Sequence, residues 1–257
     1  MSTYEVTAKN YSESSENRIH SDEIARKFGF KGALVPGVAV YGHLTYPLVH
    51  ANGEAWLGHS VNTLRLHKPA YDGDNLTLAI EQDGDQQTVS CHNPDGTLLA
   101  TVISQQPQVI PKGDFTHLLD AEYKIPERIL IEWDSVKLEQ PFAPWQLTIT
   151  PEENQRYTNE VSDNQTIFSQ YAHPHFLCSI ANTALTNEYV MPTWIHVGTE
   201  TRHHLPVMVN DETTIKSVPI EKWENKGHQF IKLYVSIWRN NELTTDMLHT
   251  AIFKVAT

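Results

Sequence analysis

The chain has 257 residues, 31 acidic against 19 basic side chains and a formal net charge of −12, which argues against a nucleic-acid or anionic-membrane partner. Its hydrophobic content of 40% and its length are ample for a buried core, whereas its longest apolar stretch, around Leu34 to Val49, is broken by Pro36, Gly37, Gly42, His43 and Pro47 and is too short to span a bilayer. Met1 to Ser12 lacks the basic and apolar regions of a secretory signal, and Cys91 and Cys178 give neither a metal-type spacing nor a disulfide framework, so a soluble cytoplasmic protein is expected.

In chain order, the first signal is a polar stretch from Ser14 to Ala25, where Ser21 or Asp22 can cap a short helix beginning near Glu23. Pro36-Gly37 then precedes a segment of helix length, Val38 to Val49, that is apolar nearly all round and therefore expected to be wrapped by other structure. Leu76, Leu78 and Ile80 alternate with polar neighbours as a half-buried strand does. Asn93-Pro94-Asp95-Gly96, between Thr88–His92 and Leu98–Ser104, reads as a hairpin turn. Gln105 to Glu139, with Pro107, Pro111 and Pro126, reads as a connector. A second apolar helix, Phe176 to Leu185, follows Pro174, which suits a first helical turn because its missing N–H would be unpaired there anyway. Ile231, Leu233, Val235 and Ile237 then alternate as a strand, with Arg239-Asn240-Asn241-Glu242 as the next turn.

These elements repeat. Arg65, Pro69 and Asp74 recur as Arg202, Pro206 and Asp211 at a constant offset of 137, and the same offset lays Pro36–Val40 on His173–Leu177. The offset later grows to 145, where Gly96-Thr97-Leu98 matches Asn241-Glu242-Leu243, implying extra residues near Trp223 to Gly227. The expectation is a duplicated α+β unit: residues 1–110, a connector 111–138, and residues 139–257. The two buried helices should be related by a two-fold axis, with their sheets joined edge to edge.

No GxGxxG, P-loop, GxSxG elbow or HExxH is present. His203-His204 and His173-Pro174-His175 have no carboxylate or cysteine partner at ligand spacing, so no metal site is expected. The chemistry concentrates at Asn17-x-x-His20-x-Asp22, followed by Val35-Pro36-Gly37 at a helix start. Unpaired N–H groups and the positive dipole end there can polarise a carbonyl, and an upstream histidine can act as acid or base near neutral pH.

This arrangement resembles the MaoC-like R-specific enoyl-CoA hydratases, whose pattern is Asp-x-Asn-Pro-x-His with a glycine further along. The resemblance is best over residues 11–104. It implies a hotdog fold, a long helix wrapped by an antiparallel sheet, and for a duplicated chain a double hotdog. It also implies reversible hydration of an enoyl-CoA or dehydration of a 3-hydroxyacyl-CoA, a hydro-lyase reaction of fatty-acid metabolism with no cofactor beyond the coenzyme A of the substrate. Carried over residue by residue, His20 is the acid–base, Asn17 orients the loop and Gly37 supplies an oxyanion-hole N–H. The family's aspartate falls on Ser15 and its proline on Arg18, so a carboxylate is missing and Glu16 or Glu13 is the nearest substitute. The second unit offers Tyr157 at the position equivalent to His20 and Ser162-Asp163-Asn164 as a loose echo, so one site per chain is expected.

Arg26, Lys27 and Lys31, with Arg65 and Lys68 nearby, form a local basic cluster that could receive coenzyme A phosphates, or could simply be a solvated face. Arg65 and Arg202 read better as ion-pair partners. The alternatives to a hydratase are a hotdog acyl-CoA thioesterase and a catalytically silent acyl-CoA-binding protein. A monomer and a homodimer are both compatible with a chain that carries the paired units within itself.

Overall fold

Both apolar segments form helices, each extending slightly beyond its apolar pattern. The computed structural model describes residues 2–111, 113–124 and 127–256, so Pro126 of the expected connector lies outside the described residues. The helices are α1 (Asp22–Lys27), α2 (Gly37–Asn52), α3 (Glu54–Gly58), α4 (Pro151–Glu160) and α5 (Pro174–Glu188). α5 opens on Pro174 and is capped by His173, whose Nδ1 accepts the His175 N–H at 3.0 Å. α1 is not capped by its serine: the Ser21 hydroxyl donates to the Arg18 carbonyl at 2.8 Å instead. The Asp22 carboxylate turns to the Ala33 N–H, also at 2.8 Å, which draws the chain back towards α2.

The strands are β1 (Ser2–Thr7), β2 (Ser60–Leu66), β3 (Asn75–Asp83), β4 (Gln86–His92), β5 (Leu98–Gln105), β6 (Ile129–Leu130), β7 (Trp145–Thr148), β8 (Tyr189–Val190), β9 (Ile195–His203), β10 (Glu212–Asn225), β11 (His228–Arg239) and β12 (Glu242–Lys254). Ten of them form one antiparallel sheet in the order β1-β3-β4-β5-β2-β9-β12-β11-β10-β7, and β6 and β8 make a short parallel pair. The Asn93–Gly96 turn joins β4 to β5 as expected. The growth of the repeat offset has a visible cause, because β10 has 14 residues where its counterpart β3 has nine, and the β10–β11 hairpin is correspondingly longer.

The two halves meet at β2 and β9. Thr63 lies opposite Glu200, its own equivalent 137 positions later, while Val61 pairs with Arg202 and Arg65 with Gly198. Those last two pairs exchange under the same offset, so the two-fold relation passes between Thr63 and Glu200. The joint covers the edge that each half-sheet would otherwise expose. It is tight: a Cβ on Gly198 would sit 2.9 Å from the Leu64 carbonyl oxygen. One core surrounds α2, with Tyr41, Leu44, Leu48, Leu64, Leu78 and Val102; the other surrounds α5, with Ile180, Leu185, Ile215, Leu233 and Val235. Two buried helices on one continuous sheet make a double hotdog.

The halves differ where the motif lies. Arg18–His20 form a 3₁₀ turn in the first half, whereas Tyr157, at the equivalent of His20, sits inside α4. The second half therefore has no copy of the histidine loop.

Candidate active site

Asn17 and His20 are fixed by complementary hydrogen bonds. The Asn17 carboxamide oxygen accepts from the Ile19 N–H at 3.4 Å and from the Trp194 N–H at 3.1 Å, while its amide donates to the Trp194 carbonyl at 3.0 Å. Asn17 thus ties the motif loop to the second half, and it is 93% buried in doing so. The His20 Nδ1 lies 2.7 Å from the Leu34 carbonyl, which can only accept, so Nδ1 carries the proton and Nε2 keeps its lone pair. Among the described residues, the side-chain partner of Nε2 is the Asn17 amide, which donates to it at 3.3 Å. Burial lowers the His20 pKa from its ordinary value, with the Leu34 hydrogen bond opposing it, so the ring is neutral at neutral pH.

His20 stands where two cavities meet. One, of about 220 Å³, is mostly apolar and lined by Ile19, Phe30, Leu34, Val40, Leu66 and Ile252 among others. The other, of about 330 Å³, is more polar and takes Ser15 and Glu16 from the first half and Arg156, Tyr157, Glu160 and His175 from the second. Asn17, His20, Pro36, Asn182 and Trp194 line both. The start of α2 divides them, with Gly37 on the apolar cavity and Val38 on the polar one. As first-turn donors, the Gly37 and Val38 N–H groups have no partner among the described residues.

Gly37 is required by the protein's own packing. A Cβ there would collide with Leu66 Cδ1 and lie 2.8 Å from His196 Nδ1. His196, from β9, lines the apolar cavity, and its Nε2 lies 2.7 Å from Thr199 Oγ1, which in turn lies 2.9 Å from His249 Nδ1. Burial lowers the His196 pKa to about 3, against the nearby Gly198 carbonyl, and takes that of His249 well below its ordinary value, with His196 adding to the effect.

Cys178, His196 and His249 bring sulfur and ring nitrogens within 4.8 Å of one another, a grouping their sequence spacing concealed. The two imidazoles stack at 4.2 Å and 23°, however, so their lone pairs run side by side. A metal bound to both would lie out of each ring plane, and the Thr199 hydroxyl already joins the two rings. Two further histidines acquire carboxylate partners from distant positions: His173 Nε2 lies 3.2 Å from buried Asp163, and His204 Nε2 lies 2.7 Å from buried Asp246. Asp246 also holds Arg202 at 2.8 Å. These pairs are structural, since none of them lines either cavity.

Ser15 lines the polar cavity and not the apolar one that takes Gly37, its hydroxyl donating to the Asn17 carbonyl at 3.3 Å. The proposed substitutes for the missing carboxylate do not fill the role. Glu16 is exposed and paired with Arg128 at 2.9 Å, and Glu13 is exposed and lines neither cavity. The other carboxylate on the polar cavity is Glu160 of α4, held by Arg156 at 2.8 Å with His175 Nε2 at 3.8 Å; burial raises its pKa against the pull of Arg156. Arg26, Lys27 and Lys31, the cluster expected to receive phosphates, are exposed. Arg26 pairs with Asp22 and Lys27 with Glu23, both at 2.7 Å one turn apart, and none of the three lines a cavity. Lys68 and Arg156 are the basic residues on the cavity walls. Arg202 is an ion-pair residue as expected, whereas Arg65 is exposed with no such partner among the described residues.

No protein-family model and no curated protein matches the sequence. Solved structures do. A Chloroflexus aurantiacus protein described as a MaoC-domain dehydratase superposes with a TM-score of 0.64 at 12% identity, covering 98% of this chain and 95% of that one. A Mycobacterium tuberculosis protein described as having a double-hotdog fold gives 0.60 at 12% identity, covering 98% and 95%. A Lactobacillus plantarum protein described as an oleoyl thioesterase gives 0.52 at 11%, with the same coverage. The chain has the double-hotdog fold of these MaoC-like and thioesterase proteins.

Proposed function

We propose that the chain is an acyl-thioester enzyme that reversibly hydrates an enoyl-CoA or dehydrates a 3-hydroxyacyl-CoA. The observation that carries this reading is the unprotonated Nε2 of His20 on the same cavity as the free Gly37 N–H, at the junction of an apolar and a polar chamber. The acyl group occupies the apolar chamber and its thioester carbonyl accepts from Gly37. The pantetheine arm leaves through the polar chamber, past Arg156. In dehydration, His20 Nε2 takes the proton from C2 while the positive end of α2 stabilises the enolate oxygen. The imidazolium then returns that proton to the departing C3 hydroxyl, giving water and the enoyl thioester; hydration is the reverse. One histidine serves both transfers, which suits a site whose carboxylate position holds Ser15. That same serine favours a second reading, thioester hydrolysis, in which His20 activates a water that attacks the carbonyl and one base suffices.

The deciding experiment incubates the protein with crotonyl-CoA, 3-hydroxybutyryl-CoA and butyryl-CoA while following enoyl-thioester absorbance and free thiol. Loss or gain of the double bond without thiol release supports hydration. Thiol release from butyryl-CoA supports hydrolysis, and turnover of none rejects both.

A further inference from the structure

We propose that His196 is a second catalytic donor at this site, its Nδ1–H meeting the same carbonyl oxygen that Gly37 receives; this rests on the acyl-thioester reading above. Three observations point to it. His196 Nδ1 is buried without a partner in a residue that lines the apolar cavity, and a buried polar atom left unpaired is costly unless a ligand completes it. It also lies against Gly37, 2.8 Å from where a Cβ would stand, so the imidazole edge and the start of α2 form one corner of the cavity. Its other nitrogen is held rigidly, through the Thr199 hydroxyl to His249, with the two rings stacked.

That chain of bonds restricts the protons. Three contacts meet at Thr199 Oγ1; the Cys178 thiol donates to it at 3.9 Å, which leaves one lone pair and the hydroxyl proton for the two histidines, so only one of them points an N–H at it. If His196 does, its Nδ1 is bare and His249 carries a proton on Nε2, which is buried and unpartnered. If His249 does, the Thr199 hydroxyl donates to His196 Nε2 and the proton of His196 stands on Nδ1, against Gly37. The second arrangement leaves no orphaned N–H on His249 and presents a donor beside Gly37. A carbonyl oxygen there selects it, and negative charge developing on that oxygen strengthens the contact. Thr199 and His249 are then positioning residues. The low pKa of His196 agrees with a neutral donor.

The test uses His196→Leu, His196→Gln and His196→Asn, with thermal melting of each to confirm folding. The asparagine amide nitrogen falls near the place of Nδ1, whereas glutamine reaches towards that of Nε2. Losing one such donor lowers kcat by about 10²–10³ with little change in KM. His196→Leu and His196→Gln should show this loss, and His196→Asn should recover at least about tenfold over leucine. Equal kcat in wild type and His196→Leu overturns the proposal. A second measurement does not need turnover. The probe is a ¹³C-carbonyl ketone analogue of butyryl-CoA in which methylene replaces the thioester sulfur, read by isotope-edited infrared. Binding to wild type should lower the carbonyl frequency, and His196→Leu should lose part of that shift. Identical shifts overturn the role of His196. No binding overturns both this inference and the acyl-thioester reading. Binding with a His196-dependent shift but no thioester turnover refutes the reaction while leaving the carbonyl contact in place.

Discussion

The buried histidines make acid stability the most quantitative consequence of this structure. Burial lowers the pKa of His43 and His203 to about 4 and of His196 to about 3, and takes His175 and His249 well below the ordinary 6.5. In each case the unfolded chain takes up a proton near pH 6.5 while the folded chain refuses it. The folded state is therefore favoured above that pH and loses stability as pH falls, until each folded value is reached. One such group costs about 1.4 kcal/mol per pH unit, so five together remove about 7 kcal/mol by pH 5.5. Domain stabilities are about 5–15 kcal/mol, so acid unfolding should set in between about pH 6 and pH 5. Urea titrations at half-unit steps from pH 7.5 to 5 measure the slope directly. His43 provides the control, because neither of its ring nitrogens has a partner, while its neighbours His173 and Asp163 act on it in opposite senses. His43→Leu should fold and flatten the slope by about 1.4 kcal/mol per pH unit. A stability that is constant from pH 7.5 to 5.5, or a His43→Leu slope equal to wild type, would refute the reasoning.

Four further outcomes are expected. His20→Ala should lower turnover by about 10²–10⁴ with a melting temperature close to wild type, because the half-buried ring adds little to the core; steady-state rates and calorimetry check both parts. Gly37→Ala should cost about 1–3 kcal/mol through collision with Leu66 and His196, and should lower kcat as the start of α2 shifts, measured by denaturant midpoints and kinetics. Asn17→Leu should cost about 1–3 kcal/mol for each Trp194 backbone group left unpaired, and should raise hydrogen exchange at Trp194. Ser15→Asp should raise hydration of crotonyl-CoA by at least tenfold, within the roughly 10²–10⁴ that a second acid–base group contributes, and a variant no faster than wild type would count against the hydration reading.

The duplication, the two buried helices and the histidine loop were legible in the sequence because each is local or rests on a fixed covalent spacing. The 137-residue offset survives in the β2–β9 register, where Thr63 meets Glu200. The pairing of Arg26 and Lys27 with Asp22 and Glu23 was equally legible, since residues four apart on a helix are neighbours. What the tertiary structure decided is the other wall of the site. Trp194, His196, Asn182 and Glu160 carry no motif, and His196 lies 176 positions from His20; the edge-to-edge joint and the packing of α5 beside α2 bring them to the two cavities that meet at His20. Spacing also could not reveal that Glu160 of α4 reaches the polar cavity, or that Cys178, His196 and His249 converge on Thr199. Local chemistry along the chain is set by neighbours in sequence, but a cavity between two halves takes its electrostatics from whichever side chains the fold delivers across the joint.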